Sequence, residues 1–394
     1  MNLLKRIINS IKNSILSFAD NLLKKSDDIW VFPVYFIGEG SFIDNSLAVF
    51  EKVKNNHNIK KIILKKEKDI YVEGKNVLVV PMNSWKAVWY LLRANIIFVQ
   101  HSIWLDYKNS RFQIIDPKNR HIINLWHGIP IKDISHANTG IINDRFLKEM
   151  PRYKVICSSE VDKKNMQKAF FDTPKENFWI TGLPRNDFLV MEQGNLPKIY
   201  REELKKLDDL LSGKKLFLYA PTYRETNIGG KYYEFDEKEI EQLEKILNDN
   251  NAILGLRYHF YRRPSFVEKL YKRELFLDLS ETTISDVRMI IRKSSLVITD
   301  YSSLYVDALY INKKCISYAY DYEHYLKNQR GFFYDFQKIF PGEICHDFDS
   351  LINAVENWNT PMNKEKIDKI KNILFKYLDA NNSERVVAKV KELN

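Results

Sequence analysis

The stretch Leu296-Val297-Ile298-Thr299-Asp300-Tyr301-Ser302-Ser303-Leu304-Tyr305-Val306-Asp307 reads as a short buried strand, a polar turn and the opening of a helix. Leu296–Thr299 is an apolar, β-branched run too short for a helix. Ser302 or Ser303 supplies the side chain that caps a helix start, and Asp307 falls four residues past Ser303, on the same helix face. Capping alone would account for the serines. The alternative is an anion site, because the first N–H groups of a helix and its positive dipole end receive phosphate, with Asp307 in reach of a ribose or polyol hydroxyl. In an open α/β sheet, ligands sit beyond the carboxyl ends of the strands, so polar residues directly after strands carry the functional weight.

Outward from this stretch the same unit recurs. Leu216–Ala220, Ala252–Arg257, Phe276–Leu279 and Cys315–Ala319 read as further strands, interleaved with helical Asp236–Asn248 and Asp286–Lys293. Upstream, Trp30–Phe36, Lys61–Leu64, Val77–Val80, Ile96–Val99, Ile122–Trp126, Lys154–Cys157 and Phe178–Thr181 form a first set, with Phe50–Asn56, Asn83–Leu92 and Val161–Phe170 as crossover helices. This alternation predicts parallel sheets covered on both faces. A polar stretch at Met191–Lys198, with Gly194 and Pro197, separates the two sets. The expected class is therefore α/β, with two doubly wound Rossmann-type domains over 26–195 and 196–362 facing each other across a cleft. Residues 363–394 are expected as a pair of charged helices broken at Asp379–Asn382.

Residues 1–25 differ from the rest. Leu4, Ile8, Ile11, Ile15, Phe18 and Leu22 recur at spacings of three and four, with Lys5, Arg6, Lys12, Lys24 and Lys25 against the single acid Asp20. Such a basic amphipathic helix suits an anionic membrane surface, or it docks on the protein's own core. Across the 394 residues, 61 Lys and Arg against 51 Asp and Glu give a net charge of +10. With 45% apolar and 28% charged residues, a disordered or collagen-like chain is excluded. Three dispersed cysteines (Cys157, Cys315, Cys345) exclude a disulfide framework or a cysteine-based zinc site and point to a reducing compartment. No run of about 18 apolar residues and no signal peptide is found, so the chain is expected to be intracellular and not membrane-spanning.

Four other strand ends carry chemistry-bearing residues. Trp126-His127-Gly128-Ile129-Pro130 holds a histidine at a glycine turn, where a pKa of about 6.5 suits a general base, a structural histidine being the alternative. In Thr181-Gly182-Leu183-Pro184-Arg185-Asn186-Asp187, Gly182 admits a close backbone approach and Arg185 can grip phosphate, or Asn186 and Asp187 merely cap the following helix. Tyr219-Ala220-Pro221-Thr222-Tyr223-Arg224-Glu225 offers Thr222 and Arg224 to phosphate or polyol; a plain turn explains Pro221 but not Arg224. Leu256-Arg257-Tyr258-His259 places Arg257 and His259 on one side of an extended segment, suited to a diphosphate.

In this order, WHGIPIKDI, TGLPRND, YAPTYRE, LRYH, ITDYSSLYVDAL and YEHYLKNQRGFFYDF, between Asn124 and Phe336, resemble the CDP-glycerol glycerophosphotransferase family, the primases and polymerases of teichoic acids and related capsular polymers. The resemblance implies a GT-B-like fold, with the 26–195 domain taking the acceptor and the 196–362 domain the CDP-polyol. It implies His127 as the base that deprotonates the acceptor hydroxyl. Arg257 and His259, the latter with a catalytic part, contact the diphosphate; Thr222, Ser302 and Ser303 bind phosphate, and Asp307 binds nucleotide or polyol hydroxyls. Arg185 and Arg224 join the donor-binding set from their own motifs. Ile129 and Phe260 depart from the family pattern, which commonly has Thr and Pro at these places.

The expected function is transfer of glycerol phosphate, or a related polyol phosphate, from a CDP-polyol to a hydroxyl of a lipid-linked or polymeric glycan, releasing CMP. No cofactor or metal is expected; the partners are the CDP-polyol donor, the glycan acceptor and an anionic membrane surface, at the cytoplasmic face of the cell membrane. A GT-B glycosyltransferase using a nucleotide sugar is the alternative. A nucleic-acid-binding protein is suggested only by the charge, and no recognisable module supports it.

Overall fold

The structure, a computed structural model, describes residues 3–35, 40–107, 119–135, 150–224, 230–258, 264–328 and 331–393. It divides into two units, the first comprising Met1–Gly128, Ser135–Asp187 and Asp379–Asn394, the second Ile129–Ile134 and Phe188–Leu378.

The first unit holds seven strands: β1 (Ser26–Pro33), β2 (Lys60–Lys65), β3 (Val77–Pro81), β4 (Ala94–Val99), β5 (His121–Asn124), β6 (Tyr153–Cys157) and β7 (Phe178–Ile180). They lie in the order β3-β2-β1-β4-β5-β6-β7, all parallel, with Val31 opposite both Ile62 and Ile97. Ile96, Ile97, Phe98 and Val99 have no exposed surface, as expected for strands covered on both faces. The helices used below are α1 (Leu3–Leu22), α2 (Asp44–Val53), α3 (Trp85–Arg93), α4 (Ile103–Asp106) and α5 (Glu160–Ala169). The fifth strand stops at Asn124, two residues short of the expected end, because Trp126 takes a left-handed φ of +50° that no ladder accommodates.

The second unit carries β8 (Lys215–Tyr219), β9 (Ala252–Leu256), β10 (Phe276–Asp278), β11 (Ser294–Thr299), β12 (Lys314–Tyr318) and β13 (Glu343–Cys345) in the order β10-β9-β8-β11-β12-β13. Both sheets run outward from their first strand in two directions, the doubly wound pattern whose reversal point opens a ligand crevice at the strand carboxyl ends. Residues 363–393 form two helices as expected, Lys364–Leu374 and Asn382–Lys391. Only the first lies in the second unit; the last helix packs with the first sheet's unit. The three cysteines are all buried thiols.

Helix α1 turns Leu16 and Asp20 inward. Asp20 is buried and pairs with Arg120 and with Lys25, whose Nζ also donates to the Leu92 carbonyl at 2.9 Å. From Ile11 on, the apolar stripe faces outward: Ile11, Ile15, Phe18 and Leu22 keep 56–68% of their surface exposed. No described helix is long and apolar enough to cross a membrane.

Candidate functional site

Two neighbouring strands of the first sheet deliver the histidines. β4 and β5 run parallel with Val99 beside Asn124, so His101 and His127 leave the sheet from adjacent strand ends. Trp126 at φ +50° and Gly128 at φ +140° make a sharp turn, and a left-handed tryptophan costs about 1–3 kcal/mol that its surroundings must offset. Asn45 of α2 does so by donating from Nδ2 to the carbonyls of Leu125 at 2.9 Å and Trp126 at 3.0 Å. Asn124 Oδ1 accepts the Trp126 N–H at 2.8 Å. Arg185 closes the turn from below: its Nη1 donates to the His127 carbonyl at 2.7 Å, its backbone N–H to Asn45 Oδ1 at 2.9 Å, and Asp44 lies 3.6 Å from the same guanidinium. A Cβ at position 128 would fall 2.9 Å from Nη2 of Arg185, so glycine there is required by φ and by the arginine together. Arg185, expected at a phosphate, is buried and engaged with the turn that presents His127.

His127 is exposed, and its ring stacks on His101, with centroids 4.4 Å apart and planes at 19°, and on Trp126 at 4.5 Å and 29°. Its Nδ1 lies 3.5 Å from the Gln100 carbonyl. A carbonyl only accepts, which assigns the hydrogen to Nδ1 and leaves the lone pair on Nε2. Desolvation, then electrostatic opposition from His101 and Arg185, hold the imidazole well below its usual 6.5. At neutral pH the ring is thus uncharged and able to accept a proton.

The rest of the TGLPRND loop serves the last helix. Gly182 sits at φ +74°, and a Cβ there would lie 1.9 Å from Asn382 Oδ1. Asp187 accepts the backbone N–H groups of Asn382 and Ser383, each at 2.9 Å. It therefore caps a helix start, as one of the two sequence alternatives had it, but the helix is the C-terminal one rather than the next in the chain.

In the second unit, the motifs after β8 and β11 meet on one carboxylate. Asp300 Oδ1 accepts the Thr222 N–H at 2.8 Å, the Thr222 hydroxyl at 2.5 Å and the Tyr301 N–H at 2.6 Å. Arg224 Nη2 stands 2.8 Å from Asp300 Oδ2. Its Nε and Nη2 also bind both oxygens of Asp321 at 3.1 Å, and Nη1 donates to the Thr222 carbonyl at 3.0 Å. The guanidinium lies 5.5 Å from the ring centres of Tyr301 and Tyr320 and 5.6 Å from that of Tyr325. Thr222, Arg224 and Asp300 are all buried, so the charge that the sequence offered to a phosphate is matched internally by two aspartates.

The remaining candidates are placed as follows. Arg257 is half-buried and donates from Nη1 to the carbonyls of Leu279 at 2.9 Å and Ile284 at 2.8 Å, and from Nη2 to Ser285 at 3.2 Å. Ser302 and Ser303 are half-buried at the start of the helix Leu304–Tyr310. Ser302 Oγ accepts the Leu304 N–H at 3.3 Å, while Ser303 makes no side-chain cap. Asp307 is buried within that helix. His259 lies outside the described residues. Among the described residues no group of three or more His, Cys, Asp and Glu is arranged to hold a metal ion. Sequence reading passed over Asn45, His101 and Asp106, which act on His127 through the fold, and Asp321, whose only sequence signal is an acid next to a strand end.

Known proteins share the fold and the family. The chain is similar to the teichoic acid poly(glycerol phosphate) polymerase of Bacillus spizizenii, 28% identical over 95% of this chain and 94% of that one. It is similar also to the teichoic acid ribitol-phosphate polymerase TarK of Staphylococcus aureus, 30% identical over 76% of this chain, but spans only 56% of that protein's length. The solved structure of the wall teichoic acid polymerase TagF shares the GT-B-like fold of two parallel sheets, with a TM-score of 0.76 and 24% identity over 99% of this chain and 95% of that one. A variant of TagF soaked with CDPG superposes with a TM-score of 0.75 at 22% identity, covering 100% and 98%. The family described as CDP-Glycerol:Poly(glycerophosphate) glycerophosphotransferase matches residues 21–392, from the end of α1 almost to the last residue, and with the two doubly wound sheets and the strand-end histidine in place, the chain belongs to that family.

Proposed function

We propose that the chain transfers glycerol phosphate, or a related polyol phosphate, from a CDP-polyol to a hydroxyl of a lipid-linked or polymeric cell-surface glycan, releasing CMP. The observation that carries this is the His127 turn: a neutral imidazole with its Nε2 lone pair available, held on a strained turn by Asn45, Asn124 and Arg185. Nε2 takes the proton of the acceptor hydroxyl, the oxygen attacks the β-phosphorus, the bond between the β-phosphorus and the bridging oxygen breaks, and CMP departs with that oxygen. Positioning and charge neutralisation supply most of the rate in such a transfer. Ser302, Ser303, Arg257 and His259 are assigned to the donor phosphates. Thr222, Arg224 and Asp307 support the donor side from within, since their side chains are buried. The relatives act on glycerol phosphate or ribitol phosphate by their names, which supports the polyol class.

We further assign the outward face of α1 to an anionic bilayer, where a lipid-linked acceptor is found. Trp85 and Trp89 of α3, a helix that α1 contacts, are exposed as well, and tryptophan favours the membrane interface. Incubation of the protein with CDP-glycerol, CDP-ribitol and nucleotide sugars, each with a lipid-linked glycan acceptor, tests the donor. CMP release from a CDP-polyol supports the proposal. Release of a nucleoside diphosphate from a nucleotide sugar, with the CDP-polyols untouched, makes the protein a glycosyltransferase instead.

A further inference from the structure

The two imidazoles at the ends of β4 and β5 differ in their support. His127 touches a backbone carbonyl at 3.5 Å, whereas His101 is anchored by a carboxylate. Ser102 caps the short helix α4, its hydroxyl accepting the Leu105 N–H at 3.1 Å, and this places Asp106, the last residue of that helix, back under the strand end. Asp106 is fully buried. Its Oδ2 accepts the N–H groups of Gln100 at 2.7 Å and His101 at 2.8 Å, and its Oδ1 lies 3.2 Å from Nδ1 of His101. A carboxylate only accepts, so Nδ1 of His101 bears a hydrogen and the ring plane is fixed. A further bond ties this segment to the next strand, where Asn124 Nδ2 donates to the His101 carbonyl at 2.8 Å. The His101 ring then lies nearly parallel to His127, 4.4 Å away.

We propose that His101, locked by Asp106, is the positioning residue for His127: it fixes the plane of the reactive imidazole so that Nδ1 faces the Gln100 carbonyl and Nε2 faces the acceptor. Two stacked imidazoles so close do not both charge readily, and His101 opposes protonation of His127. The other ionisable groups facing His127 among the described residues are Arg185, which also opposes its protonation, and Asp44, which favours it. The carboxylate beneath His101 is what distinguishes the support of the two rings. This role rests on His127 being the base, and the test is chosen to separate the two.

Full-length protein with 13C-labelled histidine, titrated by NMR without substrate, reads each ring directly, with His127→Asn identifying its signal. In His101→Asn the midpoint of His127 should move up toward 6.5, the usual value; Asp106→Asn should move it the same way by a smaller amount. In steady-state assays both variants should lose kcat, by up to about 100-fold for His101→Asn as expected for a misplaced reacting group, with KM for the CDP-polyol unchanged and a new acid limb in the pH profile. His101→Gln, which lacks the ring to stack, should not rescue turnover. An unmoved His127 midpoint in His101→Asn overturns the proposal. So does a loss confined to thermal stability, with the kcat profile unchanged. If the wild-type chain turns over no CDP-polyol, the functional reading fails by itself, and the titrations still decide whether His101 and Asp106 govern His127.

Discussion

Arg224 is a buried guanidinium whose donors end on Asp300, Asp321 and the Thr222 carbonyl. Removing one partner of such a set leaves charges without compensation, so Arg224→Met should lower unfolding free energy by about 3–5 kcal/mol, read by urea denaturation. Arg224→Lys should recover only part, since an ammonium cannot bind Asp321 through two parallel bonds. A loss of donor affinity with unchanged stability would show instead that the guanidinium serves the ligand. The sequence displayed the right residues here but not their orientation: Thr222, Arg224, Ser302 and Ser303 were legible as strand-end groups, while the partner Asp321 lies 97 residues from Arg224 in the chain and is brought close only by the sheet order. His127 was legible with its turn. Its neutrality was not, because the surrounding protein, His101 and Arg185 that hold its pKa below 6.5 come from other segments. Since a histidine with a lowered pKa stays uncharged as pH falls through its usual value, turnover at saturating donor should hold from about pH 7.5 to about 5.5. A loss centred near 6.5 would contradict the stacked arrangement.

At the scale of single elements, the apolar stripe of α1 is legible from its spacing, and the sequence allows either a bilayer or the core to cover it. The outcome is set by Leu16 and by Asp20, which pairs with Arg120; both are buried, and Ile15 and Phe18 are left outside. Ile15→Ser with Phe18→Ser should therefore leave thermal stability nearly unchanged while reducing sedimentation with anionic vesicles. Equal vesicle binding would place the membrane contact elsewhere. Deleting the whole helix is the wrong test, because Arg120 would be left buried and unpaired. Helix α5 offers a second check. Asp162, fully buried near its start, accepts the Ser158 N–H at 2.7 Å, and desolvation pushes its pKa up to about 7 from 3.8. A carboxyl whose folded pKa is raised stabilises the fold at low pH and loses that contribution as pH rises through the folded value. Asp162→Asn should thus gain on the wild type by about 1.4 kcal/mol per pH unit between about pH 4 and pH 7. A difference that stays constant with pH would mean that Asp162 is solvated.

Over the whole molecule, strand and helix alternation was sufficient for the class, because fully buried parallel strands leave short apolar runs such as Ile96–Val99 and Leu296–Thr299 that local pattern alone identifies. The fate of the last helix was not legible. Asn382–Lys391 belongs with the first sheet's unit through Asp187 and Gly182, contacts that span 195 residues or more. The same long-range assembly puts Asn45, Asn124 and Arg185 around the His127 turn, and the central claim is that this turn presents the base of a polyol-phosphate transfer. The most direct measurement compares wild type and His127→Ala in CMP release from CDP-glycerol with a lipid-linked acceptor, alongside calorimetric binding of CDP-glycerol. Turnover should fall by at least about 100-fold, the lower end of general-base contributions, with donor affinity retained. Turnover within a few-fold of wild type in the variant would contradict the claim.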